Sequence, residues 1–163
     1  MTLTDERRLV TALFADLVGF TGRAETSDPE AVREIQRAYF AAVSGEVERY
    51  GGTVEKYIGD AVMAVFGAPQ AHDDDAERAL RAALRIREAV EGLGSGLEVR
   101  IGVNTGEVVG GMGSGPQAGD YTVSGDAVNV AARLQQTAQP NEILVGGSTR
   151  RLSAEAYTFA PLS

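Results

Sequence analysis

Apolar residues run almost unbroken from Leu9 to Val18, in LVTALFADLV, with one acid, Asp16, set into the run. A core strand buried on both faces reads this way. Asp28-Pro29-Glu30 then opens a helical pattern that continues through Tyr50. Asp28 suits an N-cap, Pro29 suits the first helical position, and Gly51-Gly52 ends the helix. Thr53 to Ile58 and Ala61 to Phe66 predict two strands joined at Gly59-Asp60, a hairpin-type dipeptide. Asp73-Asp74-Asp75 begins a second helix that reaches about Glu91. Acids in a first turn suit the helix dipole, so this charge run reads as structural.

Leu97 to Val103 alternates like a strand, and Glu107 to Met112 predicts another after Gly106. Residues 110–119 hold five glycines and a proline. That stretch reads either as a disordered loop or as an arm that docks on a partner. Tyr121 to Val123 predicts a short strand, and Ser124-Gly125-Asp126 leads into a helix from Ala127 to about Gln136. Pro140-Asn141 closes that helix, and Glu142 to Val145 is a last strand. There is no internal repeat. The tail from Phe159 to Ser163 carries no closing element, which raises the expectation of a longer parent protein. The order βααββαββ followed by αβ mixes helices with hairpins. It predicts an α+β fold, a ferredoxin-like sandwich with a largely antiparallel sheet and helices packed on it. At 163 residues, a single domain over 1–163 is the expectation.

Composition narrows the chemistry. The chain has no cysteine, so disulfides, thiolate metal sites and thiol nucleophiles are excluded. Its one histidine, His72, stands in a turn before a helix and reads as a loop or capping residue. A net charge of −8 argues against a nucleic-acid footprint. No stretch is apolar over the ~18 residues a membrane span needs, and no signal-peptide pattern opens the chain. The expectation is a cytoplasmic protein with no membrane or nucleic-acid partner.

Two pairs of residues stand out. Asp16 interrupts the most apolar strand, where an unpaired carboxylate costs several kcal/mol and needs a partner. Asp60 sits at the hairpin tip, and in a ferredoxin-like sheet the two strands concerned can be neighbours. The plain alternative is a capping acid and a turn residue. With no histidine or cysteine beside it, a paired carboxylate site suits Mg²⁺ or Mn²⁺. Two such ions ~3.5–4 Å apart stabilise the attacking and leaving oxygens of a phosphoryl displacement. Asn129 and Arg133 lie four apart and share a helix face. Arg133 suits phosphate oxygens, and Asn129 suits a water or a sugar oxygen. A solvated face is the alternative, but the small apolar neighbours suggest that this face is covered. Lys56, in EKYIGDAVM, is the only lysine against fourteen arginines. It offers a compact point charge that a guanidinium cannot imitate.

Four segments, FADLVGFT, EKYIGDAVMAVFG, VRIGVNTGEVVGG and YTVSGDAVNVAARL, stand in the order and spacing of one family. The chain resembles the catalytic domain of class III nucleotidyl cyclases over essentially its whole length. The resemblance implies that Asp16 and Asp60 are the two metal carboxylates, with Leu17 beside them as a further metal contact. It implies that Lys56 and Thr122 read the base, and that Asn129 and Arg133 serve the transition state. Gly19, Phe20 and Thr21 belong to a turn that cradles the nucleotide, and Arg100 resembles a phosphate-contacting arginine. Each active site is implied to lie between two chains, with Asp16 and Asp60 of one facing Asn129 and Arg133 of the other.

Many members carry aspartate where this chain has Thr122. A subset similar to the soluble, bicarbonate-responsive cyclases has threonine, which makes bicarbonate regulation an expectation. Lys56 can donate to adenine N1, whereas guanine N1 carries a hydrogen, and the Thr122 hydroxyl can accept from the adenine amino group. The reading is an adenylyl cyclase using two Mg²⁺ or Mn²⁺ ions on ATP in a homodimer. Its rivals are a guanylyl cyclase, an inactive regulatory dimer of the same fold, and a diguanylate cyclase, whose Gly-Gly-Asp/Glu-Glu-Phe signature is missing.

Overall fold

The computed structural model of the protein describes residues 6–19, 28–94, 96–112 and 121–162. Strand β1, Glu6–Val18, is followed by helix α1, Pro29–Arg49, and a hairpin of β2, Thr53–Ile58, and β3, Ala61–Phe66. Helix α2, Asp75–Leu93, leads to the long strand β4, Glu98–Met112, and to β5, Tyr121–Ser124. Helix α3, Asp126–Thr137, strand β6, Ile143–Val145, and the short helix α4, Gly147–Leu152, complete the order. The strands lie β2-β3-β1-β4-β5 in one sheet, and β6 adds to β4 in parallel. All other pairings are antiparallel. This is the expected α+β sandwich, with β1 at its centre.

The two faces of β1 explain its unbroken apolar sequence. Leu13, Ala15 and Leu17 face a core built with α1 and α2, through Tyr39, Val43, Val47, Ala79, Ala83 and Ile86. Val10, Ala12 and Phe14 face the other way, into a second core closed by Ala127 and Ala131 of α3. Both sides are dry, so no residue from Val10 to Ala15 alternates with water.

The ends of the elements follow local chemistry. Asp28 caps α1 by accepting from the Glu30 amide at 3.4 Å, with Pro29 opening the helix. Asp74 precedes α2 and its carboxylate receives Arg78 Nε at 2.7 Å, which holds it below the usual carboxyl range. His72 does what a turn residue does: its amide donates to Asp75 Oδ2 at 2.7 Å. Gly59 takes φ +62 at the β2–β3 turn, a left-handed conformation that favours glycine.

Three expectations need correction. The strands predicted on either side of Gly106 are one strand, β4, because β1 pairs with it without a break from Glu98 to Gly110. A partner of matching length carries a strand through a glycine that would weaken it alone. Helix α4 was not anticipated, being only six residues long. After α4 the tail returns to the core, with Tyr157 and Phe159 packed against it. Of the two helices that the expected order sets between β1 and β2, α1 is the one among the described residues, and 113–120 of the glycine-rich stretch lie outside them.

Helix α3 lies close on β4 because Gly102 has no side chain. A Cβ there would run into the Ala131 carbonyl and the Gln135 amide, and would come within 3.0 Å of Gln135 Cα. Those are backbone atoms, so the whole helix has to move. Gly102→Ala is expected to destabilise the fold by about 1–3 kcal/mol, the usual cost of overpacking. Denaturant unfolding measures it, and an unchanged midpoint removes this account of the contact.

Candidate active site

The β1–β3 register ends at Asp16↔Ala61, which puts Asp16 beside the turn that carries Asp60. Leu17 and Val18 continue past β3 and pair with β4 alone, opposite Val99 and Glu98. Gly19 turns the chain directly after β1. The corner formed by Asp16, Leu17 and Gly59-Asp60 is therefore built from a strand end and a hairpin tip. Phe20 and Thr21 lie outside the described residues.

Asp16 has the partner that its position demands. Arg100 stands opposite it on β4 and brings Nη2 to Asp16 Oδ2 at 3.3 Å. The same guanidinium donates through Nη1 to the Gln136 carbonyl of α3 at 3.3 Å, while its Nε is buried without a hydrogen bond. The arginine expected on phosphate thus bridges a strand acid and a helix end in this state. Asp60 is held by helix α1, whose Gln36 Nε2 donates to Asp60 Oδ1 at 3.1 Å.

The two carboxylates act on each other. Burial pushes the Asp60 carboxyl above its ordinary value, the Gln36 hydrogen bond opposes that, and the Asp16 charge adds to the rise. Tyr39, buried in α1, is pushed far above the ordinary phenol range by burial and by the fields of Asp16 and Asp60. An all-oxygen corner with two mutually repelling carboxylates fits a hard divalent cation. Among the described residues no cluster of three or more His, Asp or Glu is present. The remaining ligands of such a cation would be backbone, water or substrate oxygens, the mode Mg²⁺ favours.

Lys56 reaches this face through an irregularity. Val54 pairs with Ala64 and Lys56 with Met63, so a bulge at Glu55 absorbs one residue. Without it, Lys56 would point with Val54 toward α1 and Tyr57 would point away. With it, Tyr57 faces α1, its ring 4.9 Å from that of Phe40. The bulge turns Lys56 to the side of Met63 and Phe14, which is also the side of Asp16 and Arg100. Lys56 is exposed there.

Asn129 and Arg133 do share a face of α3, but not the one packed on the sheet. Ala127, Ala131 and Gln135 point inward, while Asn129 and Arg133 are exposed. The expectation that this face is covered does not hold within one chain. Among the described residues, neither side chain bonds to Asp16, Asp60 or Lys56. Thr122 sits on β5 opposite Gly111, on the far side of β4 from β1. The structure therefore joins Asp16 to Arg100, sets Asp60 at the same corner and puts Lys56 on the same face of the sheet, while Asn129 and Arg133 form a separate group on the outward face of α3. Sequence reasoning overlooked Gln36 and Tyr39. Their three-residue spacing on the apolar stripe of α1, with Val32, Ile35 and Val43, was the available signal.

The profile of the adenylate and guanylate cyclase catalytic domain matches residues 4–162. Adenylate cyclase 1 of Rhizobium meliloti is 33% identical over 166 residues, covering 96% of this chain and 25% of that protein. An uncharacterized protein of Mycobacterium tuberculosis is 34% identical over 155 residues, covering 94% of this chain and 29% of its own length. The chain thus spans between a quarter and a third of these curated relatives. Among solved structures, the adenylyl cyclase CyaB from P. aeruginosa superposes with a TM-score of 0.87 at 31% identity, covering 93% of this chain and 83% of that one. The guanylyl cyclase Cya2 superposes with a TM-score of 0.84 at 32% identity, covering 92% and 80%.

The raised Asp60 carboxyl makes a stability prediction. A group that holds its proton more tightly when folded loses stability as pH rises through its folded value, and the deficit persists at neutral pH. Asp60→Asn cannot ionise. In a chelator at neutral pH it is expected to melt above wild type, and the gap should close in acid below about 3.9, where both are uncharged. Thermal melts across pH measure this, and a lower neutral Tm for the variant contradicts it.

Proposed function

The chain belongs to the adenylate and guanylate cyclase catalytic domain family, and on that premise we propose that it is an adenylyl cyclase converting ATP to 3′,5′-cyclic AMP and pyrophosphate. The observation that carries the reading is the shared face of Asp16, Arg100 and Lys56, reached by Lys56 through the Glu55 bulge. In this reading the chain is one catalytic domain of a longer protein.

Asp16 and Asp60, with the Leu17 carbonyl, hold the divalent cations. When bound, these ions lower the pKa of the ribose 3′-hydroxyl and neutralise phosphate charge. The O3′–Pα bond forms in line as the bond from Pα to the bridging oxygen of pyrophosphate breaks, and the hydroxyl proton leaves to solvent. Arg100 exchanges its Asp16 contact for phosphate oxygens. The backbone turn at Gly19, Phe20 and Thr21 cradles the triphosphate. Lys56 donates to adenine N1, and the Thr122 hydroxyl accepts from the amino group. Arg133 neutralises charge that develops on the transferring group, and Asn129 orients the ribose. No protein nucleophile takes part.

Asn129 and Arg133 turn away from their own sheet, which supports a site completed by a second chain. A C₂ pair places two equivalent sites at its interface. The guanylyl rival is opposed by Lys56, which finds no acceptor at guanine N1. The inactive-module rival is opposed by Asp16, Lys56, Asp60, Thr122, Asn129 and Arg133, which fill every expected polar position.

Purified chain with Mn²⁺ and either ATP or GTP, followed by product chromatography, tests the substrate; predominant cyclic GMP overturns the reading. Lys56→Glu with Thr122→Cys is expected to lower ATP use and raise GTP use, because a hydrogen-bonding site rejects a base that leaves its polar atoms unpaired. Retained ATP preference places the base pocket elsewhere. The same assay at fixed pH, with bicarbonate against chloride, tests regulation through Thr122; an equal rate leaves Thr122 as a purine contact.

Asp16→Ala and Arg133→Ala chains are each expected to be inactive alone and active when mixed. A heterodimer keeps one site free of both substitutions. Random pairing gives half heterodimers with one intact site of two, so roughly a quarter of wild-type activity returns. A mixture that stays inactive after labelled subunit exchange rules out the shared site.

A further inference from the structure

Helix α1 carries a second polar group beside Gln36 on its apolar stripe, and the reaction described above does not use it. Tyr39 is fully buried, at 0% exposed, and its hydroxyl has no hydrogen-bond partner. Its ring is fixed in the apolar core with Leu13, Leu17 and Val43, and lies 5.5 Å from the Phe40 ring. A core position of that kind is usually filled by phenylalanine, because a buried hydroxyl without a partner is unfavourable. Burial, and after it the charges of Asp16 and Asp60, raise the phenol above its ordinary range and keep it protonated. It is therefore a donor without an acceptor, within the fields of two carboxylates.

Gln36 lies one helical turn earlier and shows the completed form of such a contact, with its amide on Asp60 Oδ1 at 3.1 Å. Carboxylates that hold a metal usually receive hydrogen bonds from a surrounding layer of donors, which fixes the oxygen left off the ion. Two carboxylates that repel each other do not close up until a cation draws them in. The unbonded hydroxyl of Tyr39 and the strained charge pair are then two sides of one unfilled arrangement.

We propose that Tyr39 is a positioning residue for the Asp16–Asp60 pair: when a divalent cation is bound, its hydroxyl donates to a carboxylate oxygen that the cation leaves free. The inference rests on the metal reading of that pair. It adds a role for α1 in setting divalent affinity, together with Gln36.

The test compares Mn²⁺ binding, from the free-ion signal in electron paramagnetic resonance, for wild type, Tyr39→Phe and Asp60→Ala. It is run with Mn²⁺ alone and with 3′-deoxy-ATP, which lacks the attacking hydroxyl. Tyr39→Phe is expected to weaken Mn²⁺ binding about tenfold. Its Tm in chelator should equal or exceed that of wild type, since the ring is retained and an unpartnered hydroxyl removed. Unchanged Mn²⁺ affinity overturns the proposal. So does weaker binding accompanied by a lower chelator Tm, which marks a structural role. As a second measurement, fluorotyrosine placed at position 39 alone should shift its ¹⁹F resonance when Mg²⁺ is added, and no shift overturns the proposal independently. If wild type and Asp60→Ala bind Mn²⁺ alike, the metal reading itself has failed, which is a separate outcome.

Discussion

Two like charges set at one end of an otherwise apolar sheet impose the constraint around which the rest is arranged. Asp16 and Asp60 repel each other, and burial makes the ionised Asp60 less favourable still. The fold tolerates the pair by supplying one cation, Arg100 from β4, and one neutral donor, Gln36 from α1, and the hairpin turn keeps Asp60 at the rim. Removing water from this corner would make the repulsion larger, so the carboxylates remain partly exposed while the strand behind them is dry. A site that stores repulsion of this kind is less stable than an apolar corner and more receptive to a divalent cation.

Sheet parity distributes the chemistry. Side chains of β1 alternate between a core shared with α1 and α2 and a core shared with α3. Asp16 continues the α3 series, and the antiparallel register gives Arg100 the same side. The bulge at Glu55 then reverses the faces of the β2 residues that follow it. A one-residue slip exchanges the faces of a strand, so a single bulge moves Lys56 from the α1 side to the Asp16 side and brings Tyr57 onto Phe40. The proposed base contact and the proposed metal contacts thereby share a surface without any change in the core.

Much of this was legible beforehand. The unbroken apolar run of β1, the Asp28-Pro29 opening of α1 and the Gly59-Asp60 turn are local signals, and the structure follows them. The acid inside an apolar strand announced a partner, although its identity as Arg100 depends on register that no local pattern fixes. The Glu55 bulge left no mark in composition. Gly106 misled because an isolated glycine looks like a break, whereas β1 holds β4 continuous across it. Tyr39 was hidden for a different reason: at helical spacing it reads as a core aromatic, and only the empty hydrogen-bonding position of its hydroxyl separates it from one.

The outward face of α3 follows from the way the helix packs. Ala127 and Ala131 are small, and Gly102 beneath them lets α3 approach β4 closely. Close approach fixes the helix rotation, because a residue larger than alanine at 127 or 131 would collide with the sheet. With that rotation set, residues two positions on from the inward alanines must face outward, and these are Asn129 and Arg133. The packing that seats α3 therefore also turns its polar pair away from the sheet that carries Asp16. If both groups act on one nucleotide, as proposed, the geometry of a glycine under a helix is what makes a second chain necessary.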